Sequence, residues 1–301
     1  MKKISIFILL ITLMLSCEDP VSVNLKDAPP VLVVDAWIND KAEVQKVFLS
    51  QTQPFFEAEI PPAITGATVT LSSSRGEVFS FVEEEVPGEY RWNPNANGNP
   101  INEIGVDYQL TINVNDETYQ AVSSINRVPE IDSIKFTFEE ERSPFQPEGF
   151  YGEFVSTDPV GVGDSYWIRT YKNGVYQNSP FDLTIAFDAG FSQGGAVDGV
   201  VFIQPLQDSV NPLNEDRDEI VPYAPGDSLF VEILSITNDA FFFLQEVQIQ
   251  TQRDGGFDEI FAEPLENVPS NILNLDENST NRAIGYFCMS AVSGRGRRLV
   301  E

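Results

Sequence analysis

Tyr108-Gln109-Leu110-Thr111-Ile112-Asn113-Val114-Asn115-Asp116-Glu117-Thr118-Tyr119-Gln120-Ala121-Val122-Ser123 decides the fold class. Tyr108, Leu110, Ile112 and Val114 recur at a period of two, with polar Gln109, Thr111 and Asn113 between them. Alternate side chains of an extended chain point to opposite faces, so the pattern puts one face on a core and the other in water. Asn115-Asp116-Glu117 then turns the chain into a second alternating run, which predicts an antiparallel hairpin.

Working outward, strand text continues in both directions. Residues 31–38, 44–50, 68–72 and 78–81 read as strands, punctuated by Pro87-Gly88 and the Asn/Pro/Gly run 93–100. Six or seven short strands in about 100 residues predict a β-sandwich over 30–128. Arg127-Val128-Pro129 marks a boundary, and 129–293 reads as a second β domain. There Ile134, Phe136 and Phe138 alternate, 139–147 reads as a loop, Asn173-Gly174 is a two-residue hairpin turn, and Phe181, Leu183, Ile185 and Phe187 alternate again. Residues 206–218 read as a long acidic loop, and Pro225-Gly226-Asp227 leads into a strand over 229–236. One helix is expected near 239–252, capped by Asn238, with Phe241, Phe243, Leu244 and Val247 on its apolar side and glutamines on its polar side. The last strand is expected over 283–292, and 294–301, with Arg295, Arg297 and Arg298, reads as a solvated basic tail. The fold class is mainly all-β: two sandwich-like domains, the second with one helix.

Charge removes partners. The 301 residues hold 46 acids against 18 lysines and arginines, a net charge of −28. Nucleic acids and anionic headgroups are bound through cations, so neither is expected. There is no histidine, which excludes Ser-His-Asp and Cys-His nucleophiles, histidine-ligated metals and a histidine base. With 42% hydrophobic residues the chain can still bury real cores.

Met1-Lys2-Lys3, the apolar run 4–15 and Ser16-Cys17 have the layout of a secretory signal. The run has about 12 residues, where a bilayer takes roughly 20. Ser16 before Cys17 resembles a bacterial lipobox, in which the cysteine thiol is lipidated; Met14 stands where leucine is usual. On this reading 1–16 is the signal, 17–29 a lipidated linker, and Cys17 the anchor of an outer-membrane protein. Glu18 and Asp19 resemble the export signal of surface lipoproteins, so the protein is expected to face outward. The second cysteine, Cys288, lies in an apolar run and reads as a buried, inert thiol.

The chain from Cys17 onward resembles a family of Bacteroidetes lipoproteins known as a domain of unknown function (number 4249), encoded beside TonB-dependent outer-membrane receptors. The resemblance rests on stretches spread along it. In the first half they are Val31-Leu32-Val33-Val34-Asp35-Ala36-Trp37-Ile38, Val47-Phe48-Leu49-Ser50-Gln51-Thr52, Gly66-Ala67-Thr68-Val69-Thr70-Leu71, Pro87-Gly88-Glu89-Tyr90 and Tyr108-Gln109-Leu110-Thr111-Ile112. In the second half they are Ile131-Asp132-Ser133-Ile134, Asp158-Pro159-Val160-Gly161, Gly226-Asp227-Ser228-Leu229, Pro269-Ser270-Asn271-Ile272 and Gly285-Tyr286-Phe287. The resemblance implies an accessory to a TonB-dependent receptor in nutrient uptake and transfers no catalytic residue. The first half is also similar to immunoglobulin-like and carboxypeptidase-regulatory modules, which are spacers and binding platforms.

Candidate chemistry is sparse. The acidic runs 214–219 and 254–259 could ligate calcium but lack an EF-hand register, and they read as solvated loops. Trp37, Trp92 and Trp167 could stack on a ligand, Trp92 being the least core-like because a polar loop follows it. No catalytic residue, metal or cofactor is expected, and the chain reads as a non-enzyme. A surface glycan-degrading enzyme using two carboxylates is the alternative, as is a structural or adhesive module.

Overall fold

The computed structural model describes residues 28–54, 57, 59–98, 100–194, 196–214, 219–253 and 268–300. Cys17, Glu18 and Asp19 lie outside them, as do 215–218 and the acidic run 254–259. No helix among the described residues is long and apolar enough to cross a membrane.

The first sheet is built from β1 (Leu32–Asn39), β2 (Gln45–Gln51), β3 (Thr68–Ser73), β4 (Val78–Glu83), β5 (Glu89–Trp92), β6 (Asp107–Val114) and β7 (Glu117–Ser124), joined much later by β14 (Leu273–Asn274) and β15 (Ala283–Ser290). Its order is β14-β7-β6-β3-β4-β5-β2-β1-β15. β4 turns the corner: Val78 to Phe81 pair with β3, while Val82 and Glu83 pair with β5. The folded sheet is a sandwich around Val34, Leu49, Leu71, Tyr108, Leu110 and Phe287. The β6–β7 hairpin forms as expected, with Asn115 and Asp116 at φ 53° and 61°, the left-handed backbone of a type I′ turn.

β8 (Ile131–Glu139) and β9 (Gly149–Ser156) form a two-stranded ribbon. A second sheet takes β10 (Ser165–Lys172), β11 (Val175–Tyr176), β12 (Thr184–Phe187), β13 (Ser228–Ile236) and β16 (Val292–Arg298), in the order β11-β10-β13-β16 with β12 also on β10. Phe154, Tyr166, Phe202, Leu206, Val231 and Ile233 fill the core of this half. The fold class is therefore mainly β, with sandwiched sheets and few helices.

Residues 129–293 are not one separate domain. β15 pairs in parallel with β1 from Leu32↔Ala283 to Asn39↔Ser290, so the chain returns to complete the first sheet. Val34, Ala36 and Ile38 of β1 enter the first core. On the opposite face Trp37, Tyr286 and Cys288 pack with Ile185, Phe241 and Leu244. A strand covered on both sides carries apolar residues at odd and even positions alike. That is why both strands read as continuous runs while the half-solvated β6 alternates. The pairing also requires Gly285: its φ is +93°, and a Cβ there would stand 2.0 Å from the Val34 carbonyl oxygen.

Three local expectations are corrected. The expected basic tail is largely β16, antiparallel to β13. Arg295 and Arg297 donate to the carbonyls of Ile131 and Ile134 at 3.0 and 2.9 Å, while Gly294 and Gly296 leave room for the Phe230 ring. The first part of the expected acidic loop folds into short helical turns, Gln204–Gln207 and Asp208–Val210, because Leu206 and Val210 are drawn into the core. The helix, Asn238–Thr251, is capped by Thr237, whose hydroxyl accepts from Ala240 N–H, rather than by Asn238.

Candidate ligand-binding groove between the two sheets

The second half covers the β1–β15 flank of the first sheet and leaves β2 open. A groove of about 360 Å³ runs along that edge. One wall comes from β1 and β2 through Asp35, Trp37, Asn39, Lys46 and Phe48, with Val44 just ahead of β2; the other is Trp167 and Arg169 of β10. Trp167 and Arg169 share a face because they are two residues apart on a strand. Tyr166 and Ile168, on the other face, enter the core.

Aromatic rings fix the groove's floor. Trp37 meets Trp167 edge-on at 5.0 Å and stacks on Tyr286 at 5.8 Å. The Arg169 guanidinium lies 3.8 Å from the centre of the Trp167 ring, a cation–π contact. Its Nε is shut off from solvent and has no hydrogen-bond partner. Among the described residues no carboxylate stands within ion-pair distance of it. Glu232, directly opposite on β13, is bonded instead to Lys41 and to the Tyr171 hydroxyl. Asp35 opens into the same groove without an ion pair. The surrounding protein pushes its carboxyl above the ordinary carboxylate range, partly offset by the Arg169 charge. Phe48 and Val44, 42% and 38% exposed, give the rim an apolar shelf.

The three tryptophans divide. Trp37 and Trp167 line the groove, whereas Trp92 is 8% exposed in the first core, edge-on to Phe79 at 5.4 Å. The expectation for Trp92 fails because Tyr90 and Trp92 are alternate residues of β5 and face inward together. No motif in the sequence marks Arg169, although Trp167, Arg169 and Tyr171 recur at a period of two. Cys288 is fully buried between the sheets, and burial pushes its thiol up to about 11. A thiol so held is a poor nucleophile.

Two carboxylate clusters lie elsewhere. A cleft of about 440 Å³ is lined by Glu139, Arg142, Glu153, Gln204 and Asp208 among others. The Gln204 amide donates to Asp208 at 2.9 Å and to Glu153 at 3.4 Å. Burial raises the Asp208 carboxyl; Glu139 and Glu153 are ion-paired to Arg142 and Lys135. Carboxylate oxygens of Asp158, Asp188 and Asp198 lie within 4.8 Å of one another, oxygen donors of the type a hard cation takes. All three already tie loops: Asp158 accepts from Tyr166 Oη and Gly199 N, Asp188 from Gly163 N and Asp164 N, and Asp198 from Gly161 N. Residues so far apart in sequence showed no spacing signal.

Several stretches that carry the resemblance are structural joints. Tyr90 Oη accepts from Ala67 N–H at 2.9 Å and donates to the Ile64 carbonyl at 3.0 Å. The Glu83 carboxylate accepts from Gly66 and Gly88 N–H at 2.9 and 2.8 Å. The Asn271 amide both donates to and accepts from the Phe287 backbone at 2.7 and 3.0 Å, covering the edge of β15. The family model described as "Domain of unknown function (DUF4249)" matches residues 18–295. The chain belongs to this family. No curated protein matches this DUF4249 chain in sequence. Among solved structures it is similar to a two-domain fibronectin type-III segment of chicken tenascin, at 14% identity over 69% of this chain and 91% of that one. The TM-score is 0.19, so the fold stands on the strand pairing itself.

Proposed function

We propose that this DUF4249 protein is a lipid-anchored binding protein of the outer membrane, outward-facing, that assists a TonB-dependent nutrient receptor and performs no chemistry of its own. The groove carries the reading: it gathers unpaired recognition groups, Arg169 and Asp35, over aromatic rings, while the one thiol among the described residues is sealed away. The lipobox-like Ser16-Cys17 supports it, since a lipid there would hold two partners in one plane, where they meet at a high effective concentration and a weak contact suffices. The acidic surface favours a basic or polar partner face. Affinity capture from detergent-solubilised outer membranes should recover one TonB-dependent receptor, and Cys17→Ala should abolish palmitate labelling and release the protein. Protease added to intact cells should digest it, as Glu18 and Asp19 imply. Capture of no receptor overturns the reading.

One observation favours a second reading, a glycan-degrading enzyme: the raised carboxyl of Asp208, which shares the Gln204 amide with Glu153 in that cleft. Polysaccharide hydrolysis lost in Asp208→Asn would establish it. The structural or adhesive alternative predicts neither a captured receptor nor hydrolysis.

A further inference from the structure

Two opposite charges, Arg169 and Asp35, face one groove and neither forms an ion pair among the described residues. Arg169 has its ring contact on Trp167, an Nε cut off from water and no described carboxylate within ion-pair distance, in a protein where acids outnumber bases 46 to 18. Eight other described cations, Lys41, Lys46, Arg75, Arg91, Arg127, Lys135, Arg142 and Lys172, are ion-paired, and Arg295, Arg297 and Arg298 donate to backbone carbonyls instead. An unpaired buried donor costs free energy unless something satisfies it. Asp35, across the groove on β1, is likewise without an ion pair. Lys46 beside it is already neutralised by Glu89 at 3.1 Å, so it offers little net charge. The groove also offers apolar surface, the Trp37 ring and at the rim Phe48 and Val44, beside polar Asn39 and Gln45. A purely anionic ligand would meet Asp35 repulsion, and a purely cationic one Arg169 repulsion. A ligand bearing both charges pairs with each, and its apolar group covers the shelf.

We infer that this groove binds a small zwitterion with an apolar side group, the chemistry of a hydrophobic α-amino acid, its carboxylate on Arg169 and its ammonium on Asp35. The inference rests on the binding reading above and deepens it. A charge-assisted pair at each end fixes orientation, and a groove of about 360 Å³ holds one such molecule.

The test uses the purified full-length protein and three probes with one phenyl body: L-phenylalanine, 3-phenylpropionate with the anion alone, and 2-phenylethylamine with the cation alone. Calorimetry and tryptophan fluorescence report binding, since Trp37 and Trp167 line the groove. L-Phenylalanine should bind about tenfold tighter than either single-charge probe, and Arg169→Gln and Asp35→Asn should each remove that margin. Arg169→Gln should also weaken 3-phenylpropionate, whereas Asp35→Asn should tighten it, a charge effect that a folding defect cannot imitate. Equal binding of L-phenylalanine and 3-phenylpropionate, or no binding of any probe up to about 10 mM, overturns the inference. Receptor capture is read separately, so either result leaves the other standing.

Discussion

Arg169 and Glu232 stand directly opposite each other on β10 and β13, yet they are not bonded. Glu232 is held by Lys41 and Tyr171, and Arg169 lies on the Trp167 ring. Lys41, more than a hundred residues from Arg169 in sequence, thus occupies the acid that faces Arg169 across the strand pair.

Lys41→Met should therefore move Arg169. Glu232 is nearly buried and would lack a counter-ion, while Lys41 is half-exposed, so the cost falls between that of a surface and a buried pair, about 1–3 kcal/mol. Arg169 should leave Trp167 and pair with Glu232, visible in a crystal structure of the variant and as a change in tryptophan fluorescence. An unmoved guanidinium would show that the ring, not the occupancy of Glu232, holds it.

Gly285→Ala should disrupt the closure of the first sheet. The new Cβ meets the Val34 carbonyl in a left-handed backbone, and the strand cannot move without losing its register on β1. Loss of about 3 kcal/mol or more is expected in urea titration, whereas Gly226→Ala, at a turn with open space around it, should cost less.

Glu83→Gln should destabilise only above the carboxylate range. The N–H groups of Gly66 and Gly88 hold the Glu83 carboxyl below its ordinary 4.5. A lowered folded-state value means that ionised Glu83 stabilises fully above 4.5 and that this contribution is lost as pH falls through the folded value. The melting temperature of the natural protein should exceed that of the variant at pH 7, and the gap should close as acid is added. A gap independent of pH would assign the effect to packing.

Cys288 should resist thiol reagents in the folded protein. It is fully buried with its thiol pushed up to about 11, so maleimide at pH 7 should label a Cys17→Ala variant only after denaturation. Rapid labelling under native conditions would mean that the core between the sheets opens.

The β class was legible in the sequence because a half-solvated strand must alternate. β6 and β7 show this, and their turn residues take the left-handed backbone that Asn and Asp tolerate. The absence of histidine and a Ser16-Cys17 pair after an apolar run are likewise read from the sequence alone. What the tertiary structure decided was partnership. A run apolar on both sides, such as β1 or β15, says that both faces are covered but not by what. The covering came from β10, β12 and the helix, and the parallel pairing of residues 32–39 with 283–290 carried the domain boundary with it. The groove is equally nonlocal: Asp35 and Trp37 of the first sheet meet Arg169 of the second, and Arg169 lies on Trp167 while Lys41 occupies Glu232. A local pattern records which side of a strand is dry; which distant side chain supplies or withholds a charge is settled only when the sheets pack.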